Sequence, residues 1–98
     1  PSGGLIPLNA LEHRRAAVVV TLTGSGAARQ KLMDMGLTPG AHIAVEGTVP
    51  LGDPIIVWVR GSRLALRHRE AAGVLVYRVP SSTDGDIAAV IGPSAKID

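Results

Sequence analysis

Three punctuated blocks decide the fold of this chain: Gly36-Leu37-Thr38-Pro39-Gly40, then Pro50-Leu51-Gly52-Asp53-Pro54, then Arg60-Gly61-Ser62-Arg63-Leu64-Ala65-Leu66-Arg67. The first stops a helix and launches a strand. The second turns one strand into the next, and Arg60-Gly61-Ser62-Arg63 closes a tight hairpin. Residues 41–49 and 55–60 fill the gaps, and both are ordinary strand lengths. A small, tightly wound β-barrel with one helix follows from this spacing.

Working outward, Ala16 to Leu22 reads AAVVVTL, a β-branched run that forms the first long strand. Thr23-Gly24 ends it. Ser25 stands where a helix N-cap belongs, its hydroxyl placed to accept from a first-turn amide. Ala28, Leu32 and Met35 recur at helical spacing, and Gly36 takes the left-handed position after the last turn. One helix over Ser25 to Met35 is predicted. Beyond it, Ile43 and Val45 share a strand face opposite His42, Ala44 and Glu46. Ile55, Val57 and Val59 point one way, and Ile56 and Trp58 the other. Leu64 and Leu66 form an apolar pair, and Val74 to Val79 makes the last strand. This period of two belongs to half-buried antiparallel strands. Arg69 to Gly73 is read as a single 3₁₀ turn. The expected fold is mainly β: a small closed barrel of about five antiparallel strands with one inserted short α-helix. The organisation is a lead-in over 1–15, a barrel domain over 16–79 and a tail extension over 80–98.

Ninety-eight residues make one domain with a modest core. Hydrophobic residues are 46% of the chain, so it is globular. Trp58 and Tyr77 are its only aromatic residues, which leaves Val, Ile, Leu and Ala to build the interior. Cysteine is absent, removing disulfides, thiolate catalysis and zinc–cysteine sites together. No run approaches the roughly 20 apolar residues that span a bilayer, and Pro1-Ser2-Gly3-Gly4 has no signal character. A cytoplasmic protein without direct membrane insertion is expected. Residues 1–79 carry nine Arg and Lys against five Asp and Glu, a net +4. Residues 80–98 carry Lys96 against Asp84, Asp86 and Asp98, a net −2. Pro80 to Gly85 has linker composition, and the apolar run Ile87 to Ile91 after it is expected to pack on the barrel or on a neighbouring copy.

With the blocks in place, the chain resembles the ferrous iron transport protein A family (FeoA-like proteins) from about Ala16 to Val79. The resemblance rests on Gly24-Ser25-Gly26, Arg29 and Leu32, Met35 through Gly40, and Pro50 through Pro54. It continues through Val57, Val59, Gly61, Arg63 through Arg67, and the Glu70-Ala71 to Val74-Val76 ending. Met33 and Met35 stand where such proteins commonly carry leucine, a change a core tolerates. The resemblance implies an SH3-like barrel and an accessory role in bacterial ferrous iron uptake. It implies as partner the large membrane GTPase permease of that system (FeoB), and a homo-oligomer is left open. The same barrel resembles the C-terminal domain of diphtheria-toxin-repressor-type regulators, so a stand-alone, metal-responsive regulatory domain is the alternative.

The residues give little support to catalysis. His13, His42 and His68 are far apart, and Gly24-Ser25-Gly26 lacks the lysine and spacing of a phosphate loop. His42 and Glu46 share a strand face about 13 Å apart, too far to chelate one ion. His68 and Glu70 offer at most weak, adventitious divalent metal binding, so neither a cofactor nor a specific metal site is expected. Basic and aromatic residues are not interleaved on one face, which argues against nucleic acid. Partner binding is expected through apolar groups in turns and on the outer face: Leu37, Leu51, Ile56 and Trp58, read as exposed.

Overall fold

A computed structural model describes residues 4–46 and 54–79. Leu51, in the second block, and the tail run Ile87 to Ile91 lie outside the described residues. Among the described residues, six strands form one antiparallel sheet in the order β1-β6-β2-β3-β4-β5. These are β1 (Ile6–Pro7), β2 (Ala16–Leu22), β3 (His42–Val45), β4 (Ile55–Val59), β5 (Ser62–Leu66) and β6 (Val74–Arg78). A 3₁₀ turn (Leu8–Ala10) follows β1, α1 (Gly26–Asp34) joins β2 to β3, and α2 (His68–Ala71) joins β5 to β6. The 3₁₀ turn meets α2, which draws the two edges of the curled sheet together. The expected barrel is therefore present, with a short extra strand. The lead-in supplies it: Ile6 pairs with Val76 and Pro7 with Leu75, while Leu8 and Leu11 drop into the core.

The core is aliphatic throughout. Ala17, Val19 and Leu22 of β2 face Ile43, Val57, Val59, Leu66, Val74 and Val76 across the interior. No buried side chain among the described residues is polar or charged. The alternation expected for β3, β4 and β5 holds. In β2 it breaks, because the register shifts by one residue between Val19 and Thr21. Val20 is the extra residue of a β-bulge, so Val20 and Thr21 both leave the interior and Leu22 returns to it.

The helix ends differ from expectation in instructive ways. Ser25 is extended and precedes α1, but its hydroxyl makes no capping hydrogen bond. Gly26 with φ +67° starts the helix instead. At the other end, Gly36 has φ +105°. Its N–H donates to the Met33 carbonyl at 3.0 Å, and the Leu37 N–H donates to the Leu32 carbonyl at 3.1 Å. That pair of bonds is a Schellman motif, which brings the residue after the glycine back against the last turn. Leu37 is accordingly fully buried beside Leu32. The segment read as a 3₁₀ turn is one turn of α-helix, its Glu70 carboxylate accepting from the Arg67 N–H at 2.8 Å.

Candidate partner-binding surface

Cross-strand registers assemble the outer face of the sheet row by row. One row runs through Ala16, Ala44, Trp58 and Arg63, by the pairings Ala16 with Ala44, Ala44 with Trp58 and Trp58 with Arg63. Val79 joins its end, donating its N–H to the Ala16 carbonyl at 3.0 Å. Small alanines at two neighbouring positions leave room for the indole to lie against the sheet. Trp58 is thus 6% exposed, in a second small cluster with Ala16, Ala44 and Val79. Its Nε1–H donates to Glu46 Oε1 at 2.7 Å. Arg63 clamps the same carboxylate through Nε at 2.7 Å and Nη2 at 3.2 Å. Arg63 chiefly, and Trp58 in addition, hold the Glu46 carboxyl below its ordinary value against the opposing effect of burial.

Two of the four expected anchors are therefore corrected as exposed groups. Leu37 is buried because the Schellman turn folds it under α1. Trp58 is buried because the sheet itself, rather than a partner, covers the ring and satisfies its N–H. Ile56 is half-buried on the row beyond Trp58, beside Glu46, whose N–H donates to the Ile56 carbonyl at 2.8 Å. On the opposite flank, Val18 pairs with both His42 and Tyr77. Tyr77 is 46% exposed and Leu5 43%, the large apolar groups most open to solvent among the described residues. Sequence reading missed Tyr77, although its odd position in Val74 to Val79 already placed it opposite the buried Val74 and Val76.

The rest of the surface carries ion pairs. Arg78 Nε donates to Glu12 Oε1 at 2.9 Å and Arg15 Nε to the Val79 carbonyl at 3.2 Å, fastening the lead-in to the end of β6. The hydrogen bond from Arg78 leads the effects that lower the Glu12 carboxyl and raise the Arg78 guanidinium. Lys31 of α1 reaches Glu70 of α2 at 3.2 Å, and the Glu70 carboxyl is lowered first by the Arg67 N–H and then by Lys31. A cleft of about 430 Å³ opens beside that bridge, floored by Leu22, Ala28 and Leu32. Among the described residues, no three His, Asp or Glu side chains converge to hold a metal ion. No helix among them is long and apolar enough to cross a membrane.

Fold and surface together define a small SH3-like barrel whose outer sheet face carries the exposed Tyr77. Residues 6–78 match the model of the FeoA domain, and the chain belongs to the FeoA family. A Porphyromonas gingivalis Fe(2+) transport protein A/Fe(2+) transporter FeoB fusion protein is 31% identical over 75 residues, which are 76% of this chain and 9% of that protein. The chain thus spans about a tenth of the length of that relative. A crystal structure of an iron uptake regulatory protein (FeoA) is 41% identical, covers 78% of this chain and 100% of its own, and superposes with a TM-score of 0.70. FeoA of Stenotrophomonas maltophilia, crystallised with zinc and described as a prokaryotic SH3 domain protein, is 29% identical. It covers 72% of this chain and 88% of its own, with a TM-score of 0.65.

Proposed function

We propose that this protein is a non-catalytic accessory of ferrous iron uptake that docks on the cytoplasmic side of the membrane GTPase permease. One observation carries the reading: in the Porphyromonas gingivalis fusion, a domain similar to this chain is covalently joined to an Fe(2+) transporter. Tethering sets two modules at effective concentrations on the order of millimolar. Where no such tether exists, surface affinity has to replace it. The docking face is the outer sheet around Tyr77, Val18 and Ile56, with Leu51 as a further anchor. Tyr77 suits such a role because its ring is rigid, amphipathic and open to solvent. Leu37 and Trp58 act only indirectly, by holding the barrel in shape.

The test is ferrous uptake in cells whose own copy is replaced by Tyr77→Asp or Leu51→Ala. Both variants are expected to melt like the parent while uptake falls and permease no longer co-purifies. Full uptake with both would move the contact elsewhere. Nucleotide hydrolysis by the purified protein alone would overturn the non-catalytic role. Metal-dependent binding to DNA would favour the repressor-type alternative.

A further inference from the structure

The cleft between α1 and α2 has a chemistry that the docking face does not use. Arg29, Lys31, Arg69 and Glu70 form its rim, three cations against one carboxylate, for a net +2. Glu70 is spent twice, on Lys31 and on the Arg67 N–H. Arg29 and Arg69 make no salt bridge among the described residues. Beneath them the floor is aliphatic, with Leu22 and Leu32 belonging to the main core. Such a site suits a segment with carboxylates for the rim and an aliphatic side chain for the floor.

The chain carries one such segment, Asp84-Gly85-Asp86-Ile87-Ala88-Ala89-Val90-Ile91. Its two aspartates match the +2 of the rim, and Ile87 follows directly. It also has the reach. Gly73 lines the cleft and Val79 stands at the far end of β6. The six steps between them measure about 20 Å at the rise of a strand. The eight steps from Val79 to Ile87 span at most about 26–29 Å. The linker Pro80 to Gly85 is therefore long enough to return to the cleft, with little to spare.

We propose that the α1–α2 cleft is the docking site of this chain's own acidic–apolar segment Asp84–Ile91, bound in cis. Asp86 faces Arg29 and Arg69, and Ile87 lies against the exposed Ala28, over the buried Leu22 and Leu32. This inference does not depend on the permease reading.

The absence of cysteine makes the test direct. Ala28→Cys on the cleft and Ile87→Cys in the segment are combined in the full-length chain, and disulfide formation is followed under mild oxidation. Ala65→Cys with Ile87→Cys is the control, since Ala65 is exposed on β5, away from the cleft. The expected result is a monomeric cross-link that forms at least about tenfold faster for 28–87 than for 65–87, as holding two groups together raises their effective concentration. Charge reversal by R29E and R69E in the 28–87 chain is expected to slow it, and so is raising the salt from about 0.01 M to about 1 M, which shrinks the screening length from about 30 Å to about 3 Å. Equal rates for the two pairs would overturn the proposal. Cross-linked dimers in place of monomers would assign the cleft to a second copy and overturn it in that form. Each cysteine chain is compared with its parent by melting temperature, so that a misfolded variant is not counted.

Discussion

Leu37→Ala separates a core residue from a contact residue at the position where sequence and structure differ most. Leu37 is 0% exposed and seals the space between the last turn of α1 and the sheet. Truncation removes buried methyl groups and leaves a cavity that the Schellman turn cannot close, since its two hydrogen bonds fix the backbone. Buried Leu→Ala changes of this kind cost about 2–5 kcal/mol. In a domain of this size, each 1 kcal/mol moves the melting temperature by about 4–8 °C, so a fall of at least about 8 °C is expected. Leu37→Met, close in volume, is expected to cost less than about 1.5 kcal/mol. The assay is urea unfolding followed by the fluorescence of Trp58, the sole tryptophan. Tyr77→Ser, at an open position, serves as the comparison and is expected to change stability by about 0.5 kcal/mol or less. A Leu37→Ala cost below that of Tyr77→Ser, with an unchanged denaturant slope, would refute the reasoning and return Leu37 to the surface.

Three further outcomes follow from the same geometry. Trp58→Phe keeps a ring on the Ala16–Ala44 platform but deletes the donor to Glu46, and is expected to lose about 1 kcal/mol in urea unfolding followed by circular dichroism; no loss would mean the Trp58–Glu46 bond is unimportant. Glu46 has a folded-state carboxyl depressed below 4.5, so its contribution is present above the ordinary carboxylate range and is lost as pH falls through the lower folded value. E46Q is therefore expected to flatten the stability decline between pH 5 and 3, measured as urea midpoints, and an equally steep decline would contradict the assignment. Arg60 sits left-handed at φ +54° before Gly61 at +81°, a hairpin turn that asparagine adopts more readily, against a single 3.3 Å hydrogen bond from Arg60 Nη2 to Thr38. Arg60→Asn is expected to raise the melting temperature, and a fall would show that the link to Thr38 outweighs the turn.

Much of the barrel was legible because its punctuation is local. Gly36, the Arg60-Gly61 hairpin and the alternation in β5 each follow from the residues at those positions and their immediate neighbours. What escaped depends on partners far away in sequence. AAVVVTL gives no hint of a bulge, because Val19, Val20 and Thr21 are all acceptable on either face; the register with Val76 and Leu75 decides it. Ile6-Pro7 is too short to announce itself and becomes a strand only because β6 offers an edge. Gly36 was read as a helix terminator, yet the next inference, that Leu37 must then fold under the helix, follows only from the paired hydrogen bonds of the turn. Trp58 was assigned the outer face correctly, but its burial required knowing that Ala16 and Ala44 are its neighbours and that Glu46 meets its N–H. The exposed apolar groups were the least legible element. Turn leucines look exposed in a sequence, whereas among the described residues the large apolar groups most open to solvent are Tyr77, in a strand, and Leu5.

The central claim, that the protein works by binding the ferrous permease through its outer sheet face, is tested most directly by titrating the purified full-length chain onto purified permease in detergent or nanodiscs. Binding is followed by the change in Trp58 fluorescence or by calorimetry. Saturable binding that Tyr77→Asp weakens by at least about tenfold, equivalent to about 1.4 kcal/mol, with an unchanged melting temperature, is the predicted result. Absence of saturable binding by the parent chain, or unchanged affinity in the Tyr77→Asp protein, would contradict the account.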